Sequence, residues 1–112
     1  MKNKLQNMTD SQSLFEAILH KFESRHDGVA EGKMMSAPAL KYKGKVFVFY
    51  HDNQMGFKLG KEFDPTESGI SEWNWLSPFK NKPPMKAWFM IPFSEGEKWE
   101  RLTLRALDLM RG

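Results

Sequence analysis

The sequence predicts an α+β fold: an antiparallel sheet of about five strands, with helices from the two chain ends packed on one face, in the order α-β-β-β-β-β-α. Three observations carry that expectation. Apolar residues recur at helical spacing over residues 14–22 and again over 99–110. Between them lie short runs rich in β-branched and aromatic residues, of which KVFVFY at Lys45–Tyr50 is the strongest. The pieces around that run are separated by only a few turn residues, too few for the crossover that parallel neighbours need.

Along the chain, residues 1–8 read as a flexible tail before the first helix. Thr9 with Gln12, or Ser13 with Glu16, has capping-box spacing. Leu14, Phe15, Ile18, Leu19 and Phe22 then make the apolar stripe, and the helix should end near His26-Asp27-Gly28, where glycine suits a left-handed position. Lys33–Met35 and Ala39–Tyr42 read as extended, interrupted at Ser36-Ala37-Pro38, because proline cannot donate to a ladder. Tyr42-Lys43-Gly44-Lys45 and His51-Asp52-Asn53-Gln54 are turns on either side of Lys45–Tyr50, and Met55–Leu59 follows as a strand.

Alternation along Lys45–Tyr50 puts Val46, Val48 and Tyr50 on one face and Phe47 and Phe49 on the other. That strand is apolar on both faces, so the face away from the helices must be covered by a curled sheet or loop, or by a second subunit. Gly60–Ser71 reads as a polar connection and Trp73–Phe79 as extended, with a turn at Asn81-Lys82-Pro83-Pro84. Met85–Ile91 is a further strand with Met85, Ala87, Phe89 and Ile91 on one face and Lys86, Trp88 and Met90 on the other; Pro92 stops it. Ser94, with Glu95 and Glu97 in the first turn, is the expected cap of the last helix. Its buried stripe reads as Trp99, Leu102, Ala106, Leu109 and Met110, widened by Leu104 and Leu107.

Composition bounds the function classes. At 112 residues the chain is one domain, 1–112, and its 40% apolar and 13% aromatic content is ample for one core. It has no cysteine, which excludes disulfides, thiolate zinc sites and thiol catalysis, and points to the cytoplasm. No stretch has the pattern of a secretory signal or the length of a membrane span. Seventeen Lys and Arg against fourteen Asp and Glu leave a formal charge of +3, which permits an acidic partner without requiring one.

The run GKMMSAPALKYKGKVFVFYHDNQMGFKL, followed by PPMKAWFMIP and then by Trp99, Leu102 and Ala106-Leu107, resembles the TfoX N-terminal domain-like family in its short, stand-alone form. These are small domains named for the amino-terminal part of Sxy/TfoX-type competence regulators. The likeness spans roughly Val29 to Met110. Family members commonly carry Met-Phe-Gly where this chain has Met34-Met35-Ser36, and glycine before the Pro-Met pair where it has Asn81-Lys82-Pro83-Pro84. The resemblance implies an α+β fold with terminal helices, and it implies no catalytic residue or cofactor.

No chemistry-bearing motif stands out. His20, Glu23 and His26 lie close along the first helix, but solvated helix-face residues explain them as well as a metal does, and His51-Asp52 fits ordinary turn chemistry. The glycines match no phosphate-binding loop. The resulting expectation is a non-enzymatic, cytoplasmic binding or regulatory domain without catalytic, metal or cofactor residues, acting through protein contacts or as a homodimer. Its partner face would carry Phe47, Phe49, Trp88 and Met90. Nucleic-acid binding through Lys41, Lys43, Lys45, Lys82 and Lys86, with Tyr42 or a Trp stacking on bases, is the alternative; a small-molecule pocket or enzyme site lined by Trp73, Trp75 and Trp88 is a third. Lysines on sheet edges also serve simply against aggregation.

Overall fold

The computed structural model describes residues 10–112. The tail expected at 1–8 and a cap at Thr9 lie outside the described residues. Helix α1 (Asp10–Arg25) leads into β1 (Val29–Met34), β2 (Ala37–Tyr42), β3 (Lys45–His51) and β4 (Gln54–Lys58). A connection follows to β5 (Asn74–Leu76) and β6 (Met85–Pro92), and a 3₁₀ segment (Phe93–Lys98) runs into helix α2 (Trp99–Arg111). All pairings are antiparallel, and the sheet order is β1-β2-β3-β4-β6-β5.

Six strands form where about five were expected, because the first extended stretch is a hairpin. Met35 and Ser36 turn the chain with φ of 53° and 84°, so β1 runs back to Val29. Lys43-Gly44 and Asp52-Asn53 make the next two turns, also with positive φ at both residues. Two-residue hairpin turns of this hand match the twist of the flanking strands. Pro38 is accommodated because it pairs with Lys33 on one side and lies just beyond the β2–β3 ladder, which starts at Ala39 opposite Phe49.

Both helices lie on one face, and their stripes close a single core. Phe15, Ile18, Leu19 and Phe22 of α1 and Trp99, Leu102, Ala106 and Leu107 of α2 meet Leu40, Val48, Met55, Phe57, Phe89 and Ile91 of the sheet. Trp99 is fully buried, and its indole N–H donates to the Ile91 carbonyl at 3.1 Å, so the largest core side chain leaves no unpaired donor. The expected α2 stripe was too wide. Leu104 and Leu109 point outward, 42% and 53% exposed, and Thr103 takes an inward position with its hydroxyl donating to the Trp99 carbonyl.

The start of the last helix also differs from the expectation. Ser94 does not cap it; its hydroxyl donates to the Glu72 carboxylate, and α2 proper begins five residues later. Glu95 is buried, accepting hydrogen bonds from the Ser71 and Glu72 amides at 2.9 and 3.0 Å and from the Lys98 ammonium at 2.6 Å. That bond to Lys98, with the Glu72 amide, holds the carboxyl below its ordinary value of 4.5 against the opposing effect of burial. Glu95 therefore pins the long β4–β5 connection to the base of α2.

Candidate binding cleft on the second sheet face

The sheet face away from the helices carries a second apolar cluster of Ala39, Phe49, Leu76, Trp88 and Met90, flanked by Met34, Ala37, Val46 and Ala87. Phe49, Trp88 and Met90 are where alternation puts them. Phe47 is not: it is fully buried in the helix-side core. A bulge causes this. Leu40 pairs with Val48 and the next β2 residue, Lys41, with Val46, so Phe47 is the extra residue and the alternation of β3 breaks at it. Phe47 and Val48 consequently both enter the main core, and Phe49 alone carries an aromatic ring to the other side.

The three second-face residues expected to meet a partner are covered within the chain, with Phe49 only 5% exposed and Trp88 and Met90 each 7%. The packing depends on a missing side chain. Phe49 and Trp88 sit two strands apart with ring centroids at 5.6 Å, and between them on β4 is Gly56, where a Cβ would fall 2.3 Å from Cε1 of Phe49. The phenyl ring thus lies across the glycine, closing the face over β4.

What stays open is the rim. A cleft of about 610 Å³ runs between the β1–β2 hairpin and the segment after β5. Met34, Ala37, Pro38, Phe49, Leu76 and Pro78 give it an apolar lining, with Ser36, His51, Asp52 and Ser77 as polar groups. Its volume lies within the range of about 300–1,000 Å³ typical of ligand sites, and so does its mostly apolar character with few polar groups. Met35 stands at the mouth, 65% exposed on a left-handed backbone, and Phe79, next to Pro78, is 57% exposed. An exposed methionine on a strained turn is an outlier of the kind that gathers at binding sites.

None of Trp73, Trp75 and Trp88 lines this cleft. Trp73 packs on Trp75 and Phe89, each at 5.4 Å, and Trp88 packs on Phe49. The histidines are dispersed. His20 lies 3.6 Å from Glu16 and 4.0 Å from Glu23, while His26 stacks on Phe22 at 5.0 Å. Among the described residues, no three His, Asp or Glu side chains are grouped to hold a metal ion. His51 and Asp52 are exposed in the β3–β4 turn.

The lysines singled out in the sequence collect at the opposite end of the sheet from that turn. Lys43 and Lys45 belong to the β2–β3 turn, Lys41 precedes it, and Lys82 and Lys86 lie at the start of β6. Tyr42 packs against Gly28, where a Cβ would fall 2.9 Å from the ring, and so is part of the core edge rather than a free stacking surface. Of the cleft residues, the sequence marked Phe49 as part of a partner face and His51-Asp52 as a turn; for the others the break at Ser36-Ala37-Pro38 was the signal.

The structure is thus an α+β domain with both helices on one sheet face and an open apolar cleft at the rim of the other. Compared with protein-family models, curated proteins and solved structures, the chain matches none. Among the described residues, no helix is long and apolar enough to cross a membrane.

Proposed function

We propose that this chain is a cytoplasmic, non-catalytic binding domain of the TfoX N-terminal-like type, and that its cleft receives an apolar segment of a protein partner. The observation that carries the reading is the cleft itself, open at the surface, lined largely by apolar side chains and walled on one side by Met35, which is 65% exposed. Met35 leaves much of its apolar surface to solvent at this opening, and a polypeptide segment running across the cleft covers it. The rim groups His51 and Asp52 face solvent, where they suit hydrogen bonding to a ligand more than proton transfer in an enclosed site. The turn at Met35-Ser36 also supports the family likeness, since Ser36 has the φ that the glycine common in that family adopts without strain.

The test is selection of short random peptides on the immobilised full chain, followed by affinity measurement against two variants. Peptides with a bulky apolar residue should bind, and Met35→Asp should weaken them about tenfold, equivalent to about 1.4 kcal/mol. Leu104→Asp, on the outer side of α2, should leave them unchanged. Ligands that ignore Met35→Asp, or no enrichment at all, would remove the proposal. Light scattering after size exclusion separates the self-association form: a dimer dissociated by Met35→Asp makes the occupant a second copy, whereas a monomer leaves the cleft to a different protein.

A further inference from the structure

We infer a second, independent contact surface: the end of the sheet formed by the β2–β3 turn, the end of β4 and the start of β6, fitted to single-stranded nucleic acid. Antiparallel pairing fixes this juxtaposition. Tyr42 pairs with Lys45 at the β2–β3 turn, and Lys58 pairs with Trp88, which puts the last residue of β4 and the first of β6 at that same end. Lys43, Lys45, Lys58, Lys82 and Lys86 therefore gather at this end across the strands from the β2–β3 turn to β6, within about 15 Å at the usual separation of strands, and Lys41 lies to one side with its side chain over Gly32 of β1.

Among the described residues, none of these six ammonium groups is within ion-pairing distance of a carboxylate. The nearby acids are Asp27, next to the Gly28 whose carbonyl accepts the Lys43 amide, Glu31 on β1, whose ladder partner Leu40 precedes Lys41, and Glu62 beyond β4. The chain's formal excess is +3, so these unpaired lysines make a local field well above the average of the molecule. Edge protection alone does not account for this placement. The sheet edges are β1 and β5, and on β1 the Glu31 amide donates to the Glu23 carboxylate, whereas five of these lysines belong to interior strands or the turn between them.

The class of anion follows from the rings beside the charges. Lys86 Nζ lies 5.0 Å from the centroid of Trp75 and Lys82 Nζ 5.8 Å from that of Phe79. Trp75 is 38% exposed and Phe79 57%. With an ammonium over one side of each partly exposed ring, a phosphate contact and a ring surface lie side by side, a combination that a single strand can use. A duplex keeps its bases stacked inside and an acidic peptide carries no flat base to stack, while an anionic lipid surface, which can also take up exposed Trp and Phe rings, is separated by the vesicle arm of the test.

Fluorescence anisotropy with the full chain tests this, using labelled oligothymidylate and oligouridylate, a duplex of equal length, polyglutamate, and vesicles containing phosphatidylserine. The single strands should bind most tightly. With about five phosphate contacts, affinity should fall roughly 100-fold between about 50 and 200 mM salt. The exposed substitution Phe79→Ala should weaken single-strand binding at least about fivefold, and Lys43→Glu/Lys45→Glu/Lys86→Glu should abolish it, while Lys33→Glu at the other end of the sheet should not. Absence of binding at the lower salt, equal affinity for duplex, preference for polyglutamate or vesicles, or indifference to Phe79→Ala would each overturn the assignment. Circular dichroism of the variants distinguishes lost contact from lost fold.

Discussion

Gly56→Ala is the most informative single perturbation, because one methyl group tests how the second sheet face is closed. The added Cβ would lie 2.3, 2.6 and 2.9 Å from three atoms of the Phe49 ring, against ordinary contact at 3.4–4 Å. The ring must therefore retreat by about 1 Å at its nearest atom, the shortfall between 2.3 and 3.4 Å. Trp88 at 5.6 Å blocks one direction, and Ala39, Leu76 and Met90 complete the cluster. With little room to yield, the substitution should cost about 2–3 kcal/mol, the upper part of the range for overpacking. Phe49→Leu narrows the side chain at that point and removes the clash while keeping much of the apolar volume. In its presence Gly56→Ala should be neutral or favourable by about 0.5 kcal/mol, since alanine loses less entropy in a strand. Urea unfolding of the two single variants, the double variant and the parent gives the coupling directly, expected near 2 kcal/mol or more. If the two substitutions prove additive, the ring does not lie across the glycine and the account of the closed face is wrong.

Two further outcomes follow from local geometry. Ser36→Gly should raise the urea midpoint by the equivalent of about 0.5–1 kcal/mol, because Ser36 has φ of 84° where glycine carries no steric penalty; an unchanged midpoint would show the turn to be unstrained. For Glu95, the folded-state carboxyl titrates below its ordinary 4.5, so its contribution is complete above that pH and is lost as pH falls through the folded-state value. Glu95→Gln should accordingly be less stable than the parent near neutrality, with the gap shrinking under acid below about pH 4.5. A gap that is constant from pH 7 to pH 3 in thermal melts would mean that the Lys98 and amide contacts contribute nothing through ionisation.

The class of fold was legible because periodicity reports one-face burial directly. Phe15, Ile18, Leu19 and Phe22 repeat at helical spacing and all four are buried, and Phe89 and Ile91 alternate with Trp88 and Met90 as the two sheet faces require. Three features were not legible, each for a physical reason. Met35-Ser36 turns the chain without glycine or asparagine, so the first hairpin lacks its usual chemical mark and two strands read as one interrupted stretch. Ser94-Glu95 has the composition of a helix start, but the Ser71 and Glu72 amides, over twenty residues away, recruit the Glu95 carboxylate. Tertiary partners outcompeted the local cap. Leu104 and Leu109 fit a helical stripe on paper, yet the core is already closed by Leu102, Ala106 and Leu107.

The bulge at Phe47 explains why the working surface lies at the rim and not at the centre of the second face. Strict alternation would place both Phe47 and Phe49 over that face, an aromatic excess needing outside cover. With one extra residue in β3, Phe47 turns into the helix-side core and only Phe49 remains. One ring is the amount that Gly56 can admit and that Trp88, Met90 and Leu76 can enclose, so the centre seals itself. The apolar surface left over is then displaced outward, to Met35 in the first hairpin and the cleft that it lines. A partner that recognises this domain through apolar contact meets that hairpin first, while the β2–β3 turn with its lysines lies at the other end of β2. The two surfaces are therefore separable by substitution: Met35→Asp should leave nucleic-acid affinity unaltered, and Lys43→Glu/Lys45→Glu/Lys86→Glu should leave peptide affinity unaltered.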